Sequence, residues 1–165
     1  MEALIFSDSH GKADTLLQAV ARQPKRPARI FYLGDGLRDF ESVDWSGFLV
    51  SAVKGNCDFF WGESYPEELL LTLEGHTLLL THGARYDVKH GLERLKAAAA
   101  EKGADLVLFG HTHRPYLEIL SEGTVVGNVT LERPMYLFNP GSAGEGSFGT
   151  LVVTANTVLL SHGKR

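Results

Sequence analysis

Ala3-Leu4-Ile5-Phe6 is an unbroken apolar run that stops at Ser7-Asp8, a pattern that suits a strand buried on both faces better than one with a wet side. After it, Ala13, Leu16, Leu17, Ala19 and Val20 recur at helical spacing, and Pro24 and Pro27 end the segment, which predicts a helix over 13–22. Ile30-Phe31-Tyr32-Leu33 running into Gly34-Asp35 repeats the strand and polar loop. Phe48-Leu49-Val50 and Ala52-Val53 running into Gly55-Asn56 do so a third time.

Leu69 to Leu73, the polar Glu74-Gly75-His76, and Leu78-Leu79-Leu80 predict a hairpin whose second arm delivers Thr81-His82. Glu93 to Lys102 is rich in Ala, Leu, Glu and Lys and predicts a helix, with Gly103 as its C-cap before a strand over Leu106-Val107-Leu108-Phe109. Shorter strands are expected over Tyr116 to Leu120, Met135 to Phe138, Gly149 to Thr154 and Val158 to Ser161, with turns at Glu122-Gly123 and Ala155-Asn156. Strand-helix alternation followed by β-hairpins argues for an α/β fold of two packed sheets with helices outside, rather than one doubly wound sheet. With no linker, low-complexity segment or internal repeat, residues 1–165 are expected to form a single domain.

A chain of 165 residues with 44% hydrophobic content can bury a core without disulfides or a structural metal, so any bound metal is expected to serve function. Cys57 is the single cysteine and has no internal partner, and no basic region followed by an apolar stretch precedes Ala3. A cytoplasmic protein is the expectation. No apolar stretch approaches the roughly 20 residues needed to cross a bilayer. The net charge is −4 and the basic tail Lys164-Arg165 is the longest Lys/Arg run, so no nucleic-acid-binding surface is evident. Small anionic substrates stay open, because metal ions offset local negative charge.

Five motifs end five apolar runs: Asp8-Ser9-His10, Gly34-Asp35, Gly55-Asn56-Cys57-Asp58, Thr81-His82-Gly83 and Gly110-His111-Thr112-His113. Ligands of α/β sheets bind beyond the carboxyl ends of strands, so one site can collect all five. On an extended segment residues two apart share a side, so Asp8 with His10, and His111 with His113, are expected to act as pairs. Asp35 has two oxygens and can bridge two ions, while the Asn56 amide oxygen and the imidazoles of His82, His111 and His113 suit Mn, Fe, Co, Ni or Zn. Two ions about 3.5–4 Å apart clamp a phosphoryl group and acidify a water between them, so the expected reaction is hydrolysis with in-line attack at phosphorus.

The ordered set D-x-H, G-D, G-N-x-D, T-H-G and G-H-x-H, spanning residues 4–142, resembles the calcineurin-like metallophosphoesterase superfamily. The small size, Cys57, and Asn139-Pro140-Gly141-Ser142 after the last histidine pair are similar to its compact bacterial and archaeal phosphodiesterase branch. The resemblance implies a four-layer α/β/β/α sandwich of two mixed sheets flanked by helices. It implies two divalent ions, manganese first and zinc, iron, nickel or cobalt as alternatives. One ion would be held by Asp8, His10 and His113, the other by Asn56, His82 and His111, with Asp35 bridging. The implied activity is that of a phosphodiesterase or phosphatase acting on a small phosphate ester through a metal-bridging hydroxide, in a homodimer or homotetramer. The alternative on the same fold is a non-catalytic interaction module similar to the retromer scaffold subunit, against which the full ligand set argues. A DNA-processing nuclease would need a basic surface run or an added domain.

Asp35, Asn56, Cys57 and Asp58 are the candidates for catalysis. Cys57 stands where many members of the superfamily carry a histidine that assists the leaving group, which predicts slower turnover and a bias to good leaving groups. Cys57 as a small buried hydrophobe is the bland counterpart. Asp58 either orients a ligand or starts a turn. Ala84-Arg85 follow Gly83 where small relatives carry histidine, exchanging one contact for a cation. Arg38 and Arg114 flank metal motifs and can grip a phosphate oxygen or form surface salt bridges. Phe59-Phe60-Trp61 reads first as core packing or a subunit interface, with stacking on a base or aryl group as the alternative. His76, His90 and His162 lie outside every motif and read as structural, and Asn139 to Ser142 as a rigid turn supporting the site wall.

Overall fold

The computed structural model describes residues 1–60 and 62–165. The elements in chain order are β1 (Glu2–Phe6), α1 (Ala13–Ala21), β2 (Arg29–Tyr32), α2 (Leu37–Ser42), β3 (Leu49–Ala52), β4 (Glu68–Leu73), β5 (His76–Thr81), α3 (Glu93–Glu101), β6 (Leu106–Leu108), β7 (Pro115–Leu120), β8 (Val125–Val126), β9 (Val129–Thr130), β10 (Met135–Pro140), β11 (Ser147–Thr154) and β12 (Thr157–Lys164). One sheet has the order β12-β11-β1-β2-β3, parallel over β1, β2 and β3 and antiparallel where β11 and β12 extend it. The other has the order β4-β5-β6-β10-β7, parallel through β5, β6 and β10 with antiparallel edges. Both sheets are therefore mixed.

Side chains alternate across each buried strand, and this alternation builds the layers. Ala3 and Ile5 of β1 join Phe31, Leu78, Leu80, Leu106, Leu108 and Phe138 between the sheets. Leu4 and Phe6 face the other way, onto Leu16 and Ala19 of α1 and Leu37 and Phe40 of α2. On the second sheet Leu79, Val107 and Leu137 turn outward to meet Leu95, Ala99 and Ala100 of α3. The result is the four-layer α/β/β/α sandwich with a double-sided core. Each inter-sheet leucine is worth about 2–5 kcal/mol against truncation to alanine.

Three details depart from the sequence expectation. The third strand is an edge strand, and Leu49 and Val50 are 60% and 45% exposed rather than buried. Helix α2 and the β8–β9 ribbon carry no apolar periodicity long enough to announce them. Phe59 and Phe60 are 81% and 93% exposed, so neither packs in the core; Trp61, the third residue of that run, lies outside the described residues. No helix among the described residues is long and apolar enough to cross a membrane.

Candidate metal centre

The loops after β1, β2, β3, β5 and β6 meet at the carboxyl ends of the parallel strands, bringing five separate sequence motifs to one place. Two glycines let them close. A Cβ on Gly34, whose φ is +92°, would run into the Gly55 backbone, and one on Gly110 would run into the Ser7 hydroxyl and the Asp8 carboxylate. Asp8, His10, Asp35, His111 and His113 all sit at positive φ, and among the described residues only two other non-glycine residues, Glu74 and Asp87, do so. Each such position costs on the order of 1–3 kcal/mol, and here that strain is concentrated at the candidate ligands.

The side chains gather into two clusters, Asp8-His10-His113 and Asp35-His82-His111. In the first, Asp8 Oδ1 is 3.2 Å from His113 Nε2 and 3.7 Å from His10 Nε2. In the second, His82 Nε2 is 3.2 Å from Asp35 Oδ2 and 3.1 Å from His111 Nδ1. His82 Nε2 also stands 4.0 Å from Asp8 Oδ1, so the clusters adjoin. The expected sharing of one side by His111 and His113 is corrected by the backbone: both are left-handed, not extended, and their rings go to different clusters. Asn56 lines the same cleft as His82, about 230 Å³ in volume, with its Nδ2 donating to Cys57 Sγ at 3.4 Å.

These atoms fit cations. Asp8 Oδ1 is buried and receives no hydrogen bond, while Asp8 Oδ2 accepts from the Ser7 hydroxyl at 2.5 Å and the His111 amide at 3.1 Å. An anionic oxygen buried without a donor is costly, and a divalent ion removes that cost. His82 Nδ1 can only donate to the Leu33 carbonyl, 2.7 Å away, so a neutral ring points its Nε2 lone pair at the Asp35 carboxylate. Two electron-rich atoms facing each other need a proton or a metal between them. Burial lowers the pKa of His82, but the hydrogen bond to Asp35 and the charges of Asp8 and Asp35 outweigh it and raise the pKa overall. Burial likewise opposes ionisation of Asp35, and His82 together with the Cys57 amide holds its carboxyl far below the usual range. His111 is pushed down by burial, then by His82 and Lys89. A metal held by the second cluster would compete with a proton for His82 Nε2.

A frame of hydrogen bonds holds the loops. Both oxygens of buried Asp58 are occupied: Oδ2 accepts from the Asp35 amide at 2.7 Å and the Gly55 amide at 2.8 Å, and Oδ1 from the amides of Gly36 and Leu37 at 2.9 and 3.0 Å. Asp39 accepts from the Ser9 hydroxyl at 2.5 Å and the Gly11 amide at 2.7 Å. Asn139 donates to the Gly110 carbonyl at 2.8 Å and to Thr112 Oγ1 at 3.1 Å, and Ser142 donates to the Asp8 carbonyl at 2.8 Å. The segment from Asn139 to Ser142 does support the site. Ser9 and Asp39 were missed; their only signal is a polar residue inside a ligand loop and a carboxylate one helical turn beyond Asp35.

The remaining candidates separate cleanly. Cys57 is exposed, in a cleft with His10, Asp35 and Arg38, so it is not a buried hydrophobe. Burial of its sulfur, a hydrogen bond to Asp35 and the charges of Asp35, Asp58 and Asp8 push its thiol up to about 11. Arg85 pairs with Glu67 at 3.4 Å and Glu68 at 3.7 Å. His76 is bonded to Asp105 at 2.7 Å, His90 to Asp87 at 2.6 Å, and His162 to the Asn139 carbonyl at 2.8 Å.

Comparison with known proteins agrees with this geometry. The model of the calcineurin-like phosphoesterase superfamily domain matches residues 1–161. A probable metallophosphoesterase of Bacillus subtilis, YsnB, is 33% identical over 142 residues, covering 86% of this chain and 75% of its own. Among solved structures, a conserved Streptococcus pneumoniae protein described as a predicted phosphoesterase superposes with a TM-score of 0.77 at 25% identity, over 99% of this chain and 88% of that one. Two more distant structures share the fold: zinc-complexed Vps29 from Entamoeba histolytica (TM-score 0.69, 20% identity, 99% of each chain) and an archaeal phosphodiesterase (TM-score 0.67, 19% identity, 98% and 99%). The motifs, the sandwich and the paired ligand clusters converge with the family model, and the chain belongs to the calcineurin-like phosphoesterase superfamily.

Proposed function

We propose that this protein hydrolyses small phosphate esters, diesters before monoesters, with two divalent metal ions. The observation that carries the reading is the orphaned Asp8 Oδ1 at the junction of two adjoining ligand clusters. Asp8, His10 and His113 would hold one ion and Asn56, His82 and His111 the other, with Asp35 between them. When bound, such a pair acidifies a water and neutralises charge on the phosphoryl oxygens. Manganese is the first choice, and zinc, iron, nickel and cobalt suit the same donors.

The chain's own residues orient the reacting groups. His82 is aimed by the Leu33 carbonyl, and Asp35 is held by the Cys57 amide at 2.7 Å. Asp58 acts as a positioning residue, because its oxygens are fully engaged by backbone amides. Cys57 keeps its proton near neutrality and is a far weaker proton donor than an imidazole, so departure of the leaving group leans on the leaving group's own acidity. Arg38 lines the cleft with His10 and Asp35, where its guanidinium can take a phosphate oxygen. A lone exposed thiol suits a reducing compartment, the cytoplasm. A homodimer or homotetramer completes the reading and is checked by light scattering.

The Vps29 likeness favours a second reading, a binding platform on the same fold. A Vps29 complexed with zinc means that metal uptake does not separate the two readings, whereas turnover does. The test is release of nitrophenol from bis(4-nitrophenyl) phosphate with added Mn. Asp35→Asn is expected to lower the rate about a hundredfold or more while the fold persists. Equal rates in the two proteins would defeat the proposal, and metal uptake with no turnover in either would favour the platform.

A further inference from the structure

We propose that a cleft beside the metal centre, on the α3 side of the second sheet, receives a flat aromatic arm of the ester, so that nucleotide esters are the substrate class. The inference rests on the phosphoesterase reading above. The cleft has a volume of about 450 Å³ and is lined by Val88, Lys89, Leu92, Phe109, Thr112, Arg114 and Tyr116. That size and mixture, an apolar lining with a few polar groups, are those of a small-molecule site.

Three features define what fits. Phe109 and Val88 are buried, and Tyr116 stands over Phe109 edge-on, with ring centroids 6.2 Å apart at 64°. The Tyr116 ring is held in place from behind: its hydroxyl donates to Glu118 at 2.7 Å, and Lys96 of α3 grips Glu118 at 2.9 Å. A tethered aromatic wall with one face in a cleft is a stacking platform. Next, Lys89 and Arg114 are exposed at the rim and no carboxylate is among the lining residues, whereas the clefts that hold His82 and Asp35 include Glu67 or Asp39 and Asp58. The pocket favours an arm that carries negative charge. Finally, Thr112, which lines the cleft, lies between His111 and His113, so the cleft borders the loop that carries two of the proposed ligands. A phosphate at the metals with a cationic rim and an aromatic wall beside it matches a nucleotide. The exposed pair Phe59 and Phe60 lines neither this cleft nor the one holding Arg38.

The experiment titrates Mn-loaded protein calorimetrically with adenosine 5′-monophosphate, ribose 5-phosphate and inorganic phosphate, and follows the Val88 and Leu92 methyl resonances. The nucleotide is expected to bind about tenfold more tightly than the sugar phosphate and to move those methyls. Tyr116→Ala should erase the preference and Tyr116→Phe, which retains the ring, should keep it, with inorganic phosphate binding equally in all three proteins. Equal binding of nucleotide and sugar phosphate, or a preference that survives Tyr116→Ala, overturns the assignment while leaving phosphate binding intact. Loss of all three ligands in wild-type protein instead overturns the metal-centre reading and the pocket with it.

Discussion

The two ligand clusters are built from the same chemistry, a carboxylate and two histidines, yet they differ in their access to water. In Asp8-His10-His113 the carboxylate is buried but the imidazoles are 39% and 38% exposed, whereas in Asp35-His82-His111 the His82 and Asp35 side chains are each 3% exposed and His111 is half-buried. The buried cluster also has the stronger frame. The Leu33 carbonyl aims His82, the Cys57 amide holds Asp35, and Asp58 ties the loops after β2 and β3 together. Burial lowers the competition from water for a ligand, and partners behind the ligands fix their direction. The buried cluster is thus expected to be the retentive half of the proposed site and the other the half that exchanges with solvent.

The largest expected effect tests that frame. Asp58→Ala strands four amide donors around the loops that carry Asp35 and Asn56, so it should cost about 4 kcal/mol of stability. At this chain length that lowers the melting temperature by roughly 12 °C. Asp58→Asn, which keeps an acceptor but not the charge, should cost less. A thermal shift under 2 °C for Asp58→Ala, measured by calorimetry on metal-free protein, would mean that the frame is not what holds the buried cluster.

A smaller difference separates the clusters directly. His82→Ala is expected to weaken uptake of the tighter-bound Mn a hundredfold or more, since losing only the partner behind a ligand already costs about 10–100-fold. His10→Ala should leave that ion in place and weaken the second by about tenfold, because water can enter the exposed position. Metal titration followed by electron paramagnetic resonance resolves the two steps. Identical losses in the two variants would erase the distinction between retentive and exchanging halves.

The layers were legible because strands such as Ala3–Phe6 and Leu78–Leu80 are apolar on both faces, and such runs end where the ligands begin. The candidate ligands were legible as motifs, and the family resemblance implied the division between two ions that the clusters match, although residue spacing alone did not. Period-two alternation pairs His111 with His113, whereas in the structure both residues leave the extended conformation and join different clusters. No local pattern encodes that; it depends on contacts such as the His111 amide donating to the Asp8 carboxylate in the loop after β1, 103 residues earlier in the chain. Asp39, Ser9 and Tyr116 were silent for the same reason, since each acts through partners brought by other elements. The edge exposure of Leu49 and Val50 depends on strand order, which composition does not carry.

The smallest effect uses Cys57 as a reporter of charge at the buried cluster. In the metal-free protein its thiol is pushed up to about 11, first by burial and then by the hydrogen bond and charge of Asp35. At pH 8 such a thiol presents about a hundredfold less thiolate than one at its usual value, and iodoacetamide attacks only the thiolate. Loading Mn offsets the charge of Asp35, so alkylation should accelerate by about tenfold for each pH unit by which the thiol falls. The acceleration is expected mainly from the ion of the buried cluster, because Asp35, whose carboxylate faces His82 there, ranks above Asp8 among the charges acting on the sulfur. His10→Ala should therefore keep it and His82→Ala should lose it, with mass spectrometry counting the modified fraction over time. Equal acceleration in both variants would mean that the two clusters load as one unit, despite their different burial.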